Sequence, residues 1–130
     1  MSGKPYERTQ DRIKVMQLNV NKSDLCMHDL LHSAASEADI LAIQEPYIDF
    51  LGRTRALRHL HVVYPTRHRD QWEQVTTRSV ILVNSRLLTD SWTALDVEHP
   101  DVTAVQIVGE FGTLRIFNIY NDCNNDDAIN

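Results

Sequence analysis

A carboxylate placed directly after a wholly apolar run is a group that can hold a cation, and residues 39 to 49, DILAIQEPYID, offer one in Glu45. Ile40, Leu41, Ala42 and Ile43 form a short continuous apolar run of the kind buried on both faces of a sheet. Pro46 brings no amide hydrogen to a ladder, so the strand is expected to end at Glu45, with the carboxylate at its carboxyl edge. Ligand sites of open α/β sheets lie at such edges. The plain alternative is a strand-to-loop boundary at which the glutamate faces water.

Two other groupings have chemical potential. HDLLH, residues 28 to 32, sets His28 and His32 one helical turn apart, the spacing of the zinc-protease His-Glu-x-x-His helix. Asp29 is one methylene shorter than the glutamate that chemistry uses, and no third ligand is identifiable, so the pair reads as a surface feature of a helix. Arg53, Arg55, Arg58, Arg67, Arg69 and Arg78 crowd one segment, with His59, His61 and His68 among them. They are candidates for a positive, nucleic-acid-binding face, against the ordinary reading of a solvated basic loop.

These groups need elements to position them. RIKVMQLNV alternates as a strand from Ile13 and ends in polar NKS, and Ser23 or Asp24 can cap a helix through about Ala38, on which Leu31, Ala34, Ala35 and Ala38 recur at helical spacing. The buried strand before Glu45 follows. GRTRALRHL is expected to form a short helix, HVVYP a strand closed by Pro65, and RHRDQWEQVTT an exposed loop. SVILVN, SWTALDV, VTAVQIV and LRIFNIY supply further strands, the last two joined by the hairpin-type connection GEFGT. The pattern is β-α-β followed by strands, which implies an α/β fold with a mixed sheet covered by helix on one face. SVILVN and LRIFNIY are apolar on both sides of their alternation, so the second face also calls for a partner layer, for which 130 residues leave little chain.

The length is that of one domain, and 42% hydrophobic with 24% charged residues is a globular composition. A formal net charge of -5 argues against non-specific nucleic-acid binding over the whole surface, while a local basic face stays compatible with it. MSGKPYERTQDR lacks the apolar centre of a signal peptide, and no apolar run reaches membrane-spanning length, so an intracellular location is expected. Cys26 and Cys123 suit neither a zinc site nor a disulfide framework.

VMQLNVNKSD, ILAIQEPYI, SVILVNSR and LRIFNIYND occur in that order. With these four motifs the chain resembles the amino-terminal half of the endonuclease/exonuclease/phosphatase superfamily, most of all the non-LTR retrotransposon endonucleases. The resemblance implies a partial four-layer, DNase-I-like α/β sandwich over residues 12 to 123, between a flexible start (1 to 11) and a disordered tail (124 to 130). It also implies hydrolysis of phosphodiester bonds with magnesium. By the same match Glu45 is the metal-binding glutamate, Asn19 positions the metal-bound phosphate, and Tyr120 lies near the scissile phosphate, with Gln44 and Asn118 flanking. Taken alone, Asn19 is an ordinary strand-end asparagine and Tyr120 a half-buried core tyrosine.

The chemistry suits the residue types, since magnesium keeps most of its waters and needs only one or two protein carboxylates. The family's Gly-Asp-Phe-Asn and Ser-Asp-His motifs, the second supplying the general base, do not occur in the sequence. Asp122, Asp126 and Asp127 lie in the asparagine-rich terminus. The expectation is therefore a truncated endonuclease domain, weak or inactive alone, or else a non-catalytic remnant that binds nucleic acid or a partner. A second copy docked on the exposed sheet face is one way such a half-domain would bury it.

Overall fold

The computed structural model describes residues 13–33, 37–49, 51–54, 56–66, 68, 76–87, 89–99 and 101–120. Strand β1 (Val15–Asn19) leads through a tight turn into helix α1 (Asp24–Ser33) and then β2 (Ile40–Gln44). Next come β3 (Leu60–Val63), β4 (Ser79–Asn84), β5 (Trp92–Leu95), β6 (Val102–Gly109) and β7 (Gly112–Ile119). The first four strands form one mixed sheet in the order β1-β2-β4-β3, in which β1 runs parallel to β2 and the other pairs are antiparallel. The last three form a second, antiparallel sheet in the order β5-β6-β7.

The apolar alternation of β2 and β4 explains how the layers stack. Leu41, Ile43, Val80 and Leu82 face one way and join Met27, Leu30 and Leu31 of α1 in a buried cluster. Ile40, Ile81 and Val83 face the other way and meet Val105 and Ile107 of β6, with Ile116 of β7 packed alongside. Both faces of the central strands are thus covered, which is why SVILVN is apolar from Val80 to Val83 and buried throughout.

Helix α1 begins where Ser23 Oγ accepts the Cys26 N–H at 3.1 Å, an N-cap bond, and Asp24 adds a negative charge to the first turn. The helix ends at Ser33; Ala34 and Ala35 lie outside the described residues, and Ala38 lies beyond the helix at the entry to β2. Its buried stripe is Met27, Leu30 and Leu31, at helical spacing.

Three expectations are corrected. The partner layer, for which little chain remained, is present: β5 to β7 build it economically, with β6 and β7 joined by a turn of Glu110 and Phe111 alone between paired Gly109 and Gly112. Gly112 takes φ 109, which calls for glycine, whereas a Cβ on Gly109 would meet only the exposed Phe111 ring, at 2.7 Å, which can swing aside. GRTRALRHL contains no helix among its described residues. Asp49 Oδ1 instead accepts the N–H groups of Leu51 and Arg53, Gly52 takes φ 80, and an isolated bridge joins Ile48 to Thr54, so local side-chain bonds win over helix formation. Within RHRDQWEQVTT, His68 and Thr77 are buried and bonded to each other, while 67 and 69–75 lie outside the described residues. The His68 Nε2 faces the Gly52 carbonyl at 2.6 Å, so that nitrogen carries the proton, and its ring stacks on Tyr64 at 4.2 Å.

Among the described residues β1 is an edge strand of the first sheet, with Val15, Met16 and Leu18 exposed, and the outward face of β7 exposes Phe117. No helix among the described residues is long and apolar enough to cross a membrane.

Candidate active site

The parallel register of β1 and β2 pairs Asn19 with Gln44, so both strands end at the same edge. The Asn19 Nδ2 lies 3.5 Å from Glu45 Oε2. Its Oδ1 accepts the Asn21 N–H at 2.8 Å, which fixes the amide orientation and turns the NH2 group toward the carboxylate.

Glu45 has φ 52, in the left-handed region that costs a residue with a Cβ on the order of 1–3 kcal/mol. Two backbone bonds hold it there: its N–H donates to the Arg78 carbonyl at 2.9 Å, and its carbonyl accepts the Lys22 N–H at 2.7 Å. Lys22 and Asn21 are themselves left-handed, at φ 61 and 56. The loop after β1 and the loop after β2 are therefore locked together at this edge.

Gln44 and Asn118 act between the sheets. Gln44 Nε2 donates to the Ile119 carbonyl at 2.7 Å, and the buried Asn118 Nδ2 donates to the carbonyls of Ile43 and Val80, each at 2.9 Å. Ser79 Oγ donates to the Asn118 carbonyl at 2.7 Å and accepts from Thr103 Oγ1 at 2.9 Å. These ties register β7 over β2 and β4, and so set where Tyr120 leaves the second sheet.

Tyr120 is half-buried and bonded through its N–H to the Asp101 carbonyl at 2.9 Å. The Arg78 guanidinium lies over the Tyr120 ring, 5.4 Å from its centroid, and 3.8 Å from Asp101 Oδ2. Arg78 thus links Glu45 on one sheet to Tyr120 on the other, a role its place in an arginine-rich segment did not reveal.

The other arginines part company. Arg53 is exposed beside Asp49 at the Glu45 end, and Arg58 lies in the turn before β3, at the opposite end of the sheet. Arg55, Arg67 and Arg69 lie outside the described residues, as do Asp122, Cys123, Asp126 and Asp127. The Arg53 N–H bond, aided by that of Leu51 and the Arg53 charge, holds Asp49 below the usual carboxylate range. The rings of His28 and His32 meet at a tilt, 4.2 Å between centroids, on the exposed face of α1, with His32 Nδ1 on the His28 carbonyl at 2.8 Å. Among the described residues no group of three His, Cys, Asp or Glu side chains could enclose a metal ion.

For magnesium the test is the donor set. Asp101 and Asp39 are engaged by Arg78 and Arg86, whereas Glu45 meets an amide NH2 at the long distance of 3.5 Å, leaving acceptor capacity on a carboxylate at a loop-lined edge. One such carboxylate fits an ion that keeps its waters and takes substrate oxygens for the remainder. Asn19 fits as a donor toward an anion, since its Oδ1 is already used.

The two-sheet mixed α/β architecture, with its polar site at the ends of parallel strands, matches a DNase-I-like endonuclease fold. The particular likeness is to the endonuclease domain of TRAS1, a telomere-specific non-LTR retrotransposon, with TM-score 0.61 and 21% sequence identity over 85% of this chain. The match covers 46% of that domain's chain, so the present sequence spans about half its length. No model of a protein family matches the sequence, and no curated protein matches it.

Proposed function

We propose that the chain carries one half of the active site of a retroelement-type, magnesium-dependent endonuclease, and that by itself it hydrolyses nucleic acid weakly or not at all. The observation that supports this reading is the Asn19–Glu45 pair at the shared edge of two parallel strands, with Glu45 held in a left-handed conformation by both neighbouring loops. Strain retained at a polar strand end is characteristic of functional positions.

In this reading Glu45 would hold the magnesium ion, and the chemistry gained on binding is stabilisation of negative charge on the phosphoryl and leaving oxygens. Asn19, with its NH2 aimed at the Glu45 carboxylate, orients that carboxylate and can donate to a phosphate oxygen beside it. Arg78 brings positive charge to the same end, and Tyr120 supports its guanidinium. No described residue is positioned as a general base for water, which is why the expected rate is low.

The test is nicking of supercoiled plasmid by the purified chain with magnesium and with EDTA, beside Glu45→Ala. Magnesium-dependent nicking lost in the variant would make the chain a nuclease in its own right. Nicking no greater than the variant's would leave a binding module, with the Glu45 edge as its binding surface.

A further inference from the structure

The Glu45 edge is bordered by a cleft of about 400 Å³ whose walls include Lys22, Pro46, Tyr47, Asp49 and Thr76. Through its two backbone bonds Glu45 is tied to Lys22 on one side and Arg78 on the other, so the residues fixed to its peptide groups are both cations. On a chain of formal net charge -5, this brings two basic residues to the edge that carries Glu45. Each cation also has an aromatic neighbour at its own end: Tyr120 under Arg78, and Tyr47 in the wall that Lys22 shares.

Resting on the endonuclease reading, we propose that the Lys22–Tyr47 cleft is a subsite for the nucleotide next to the cleaved phosphate, with Lys22 on the flanking phosphate and the Tyr47 ring against the sugar or base. A nucleic-acid strand then crosses Glu45 from the Lys22 side to the Arg78 side. Lys22 is exposed, and its backbone is pinned at φ 61, so the ammonium reaches out from a fixed root. Tyr47 is half-buried and packs against the core cluster below it, which presents the ring as a firm wall. Thr76 is exposed and adds a hydroxyl at the rim. Asp49 also lines the cleft as an anion; its Oδ1 accepts the N–H groups of Leu51 and Arg53 at 2.9 and 3.0 Å, and the Arg53 charge beside it offsets part of its own, so Lys22 is the cation left facing the cleft. Side chains of this kind bind a strand through phosphate charge and stacking without reading sequence.

The experiment is fluorescence anisotropy with fluorescein-labelled DNA, single-stranded and duplex, in a Glu45→Gln background that cannot anchor the metal and so does not consume the probe. Lys22→Gln, Tyr47→Leu and, as a control on the outward face of β7, Arg115→Gln are compared across a salt series. Lys22→Gln is expected to weaken binding about fivefold and to lower the slope of log affinity against log salt by about one. Tyr47→Leu keeps apolar packing and is expected to weaken binding about tenfold with the slope unchanged. Arg115→Gln is expected to change neither. If the background binds DNA and both cleft variants match it, the subsite is wrong and the endonuclease reading stands. If the background binds neither form of DNA, the endonuclease reading falls and the subsite with it. Competition by adenosine monophosphate at the oligonucleotide's own affinity would assign the cleft to a small phosphate ester and overturn the strand path. Lys22→Gln substitutes an exposed side chain, so its result holds even if Tyr47→Leu perturbs folding.

Discussion

The Lys22 N–H donates to the Glu45 carbonyl at 2.7 Å, joining two left-handed residues from different loops. Each holds the other in a conformation that side chains disfavour. The arrangement predicts that Glu45→Gly is more stable than Glu45→Ala by about 0.5–1 kcal/mol, since glycine removes the left-handed penalty and returns part of the gain as unfolded-state entropy. Urea denaturation of the two variants measures the difference. Equal stabilities would mean that the loops relax around Glu45 and that it stores no strain.

Asn118 is 1% exposed and donates to carbonyls on β2 and β4 from its place on β7, while its own Oδ1 has no partner among the described residues. Asn118→Ala is expected to cost about 1–3 kcal/mol, because the Ile43 and Val80 carbonyls lose a donor in a buried interface. Asn118→Asp should cost more, since a carboxylate there would face carbonyl oxygens without a donor. Chemical denaturation of the three proteins ranks them. An aspartate variant as stable as wild type would show that the inter-sheet space admits water.

At the opposite end of the first sheet, Asp39 is 2% exposed, accepting Arg86 Nε at 2.7 Å and the Lys14 N–H at 2.9 Å. The partners are unequal, for the Arg86 side chain is 37% exposed and can rehydrate when released. Arg86→Met strands a buried anion and is expected to cost about 2 kcal/mol, against about 1 kcal/mol for Asp39→Asn. The double variant should cost less than the sum, which a thermodynamic cycle would measure.

The elements were legible wherever one residue type dictates the backbone. Pro46 ended β2, Ser23 capped α1, and the unbroken apolar runs of β2 and β4 announced burial on both faces. The alternation of β5 to β7 was equally visible, and a partner layer was called for, but the period is the same whether a strand extends the first sheet or starts another, so which strands build that layer was not legible. The site divides in the same way. Glu45 was readable from its place after an apolar run, and Asn19 from the family motif that sets it at the end of β1. The ties of Arg78 and Lys22 to Glu45 were not readable, because both rest on hydrogen bonds between main-chain groups, which any residue supplies, and the Arg78 contact with Tyr120 joins residues far apart in sequence. One trace was present for Lys22: Asn21 before it is of the type that tolerates left-handed backbone.

Tyr64 gives a prediction with a pH signature. Its hydroxyl accepts the Thr54 N–H at 3.0 Å, and its ring stacks on His68, so it fastens the loop after Glu45 to the end of β3. Burial raises its phenol above the ordinary value of 10.0, and the Thr54 bond, which favours the phenolate, only partly opposes that. A raised folded-state pKa means that the proton is held more tightly in the native protein than in the unfolded chain. The stability it confers is therefore complete below 10.0 and is lost as pH rises through the folded-state value. Tyr64→Phe removes both the acceptor and the titration. At neutral pH it is expected to be less stable by about 1 kcal/mol. Above 10.0 the gap should narrow, since only the wild type loses this contribution there. Urea midpoints of the two proteins at neutral and strongly alkaline pH test this, because every other group is common to both proteins. A gap that stayed constant with pH would show that the phenol is solvated and that the Thr54 bond alone accounts for its contribution.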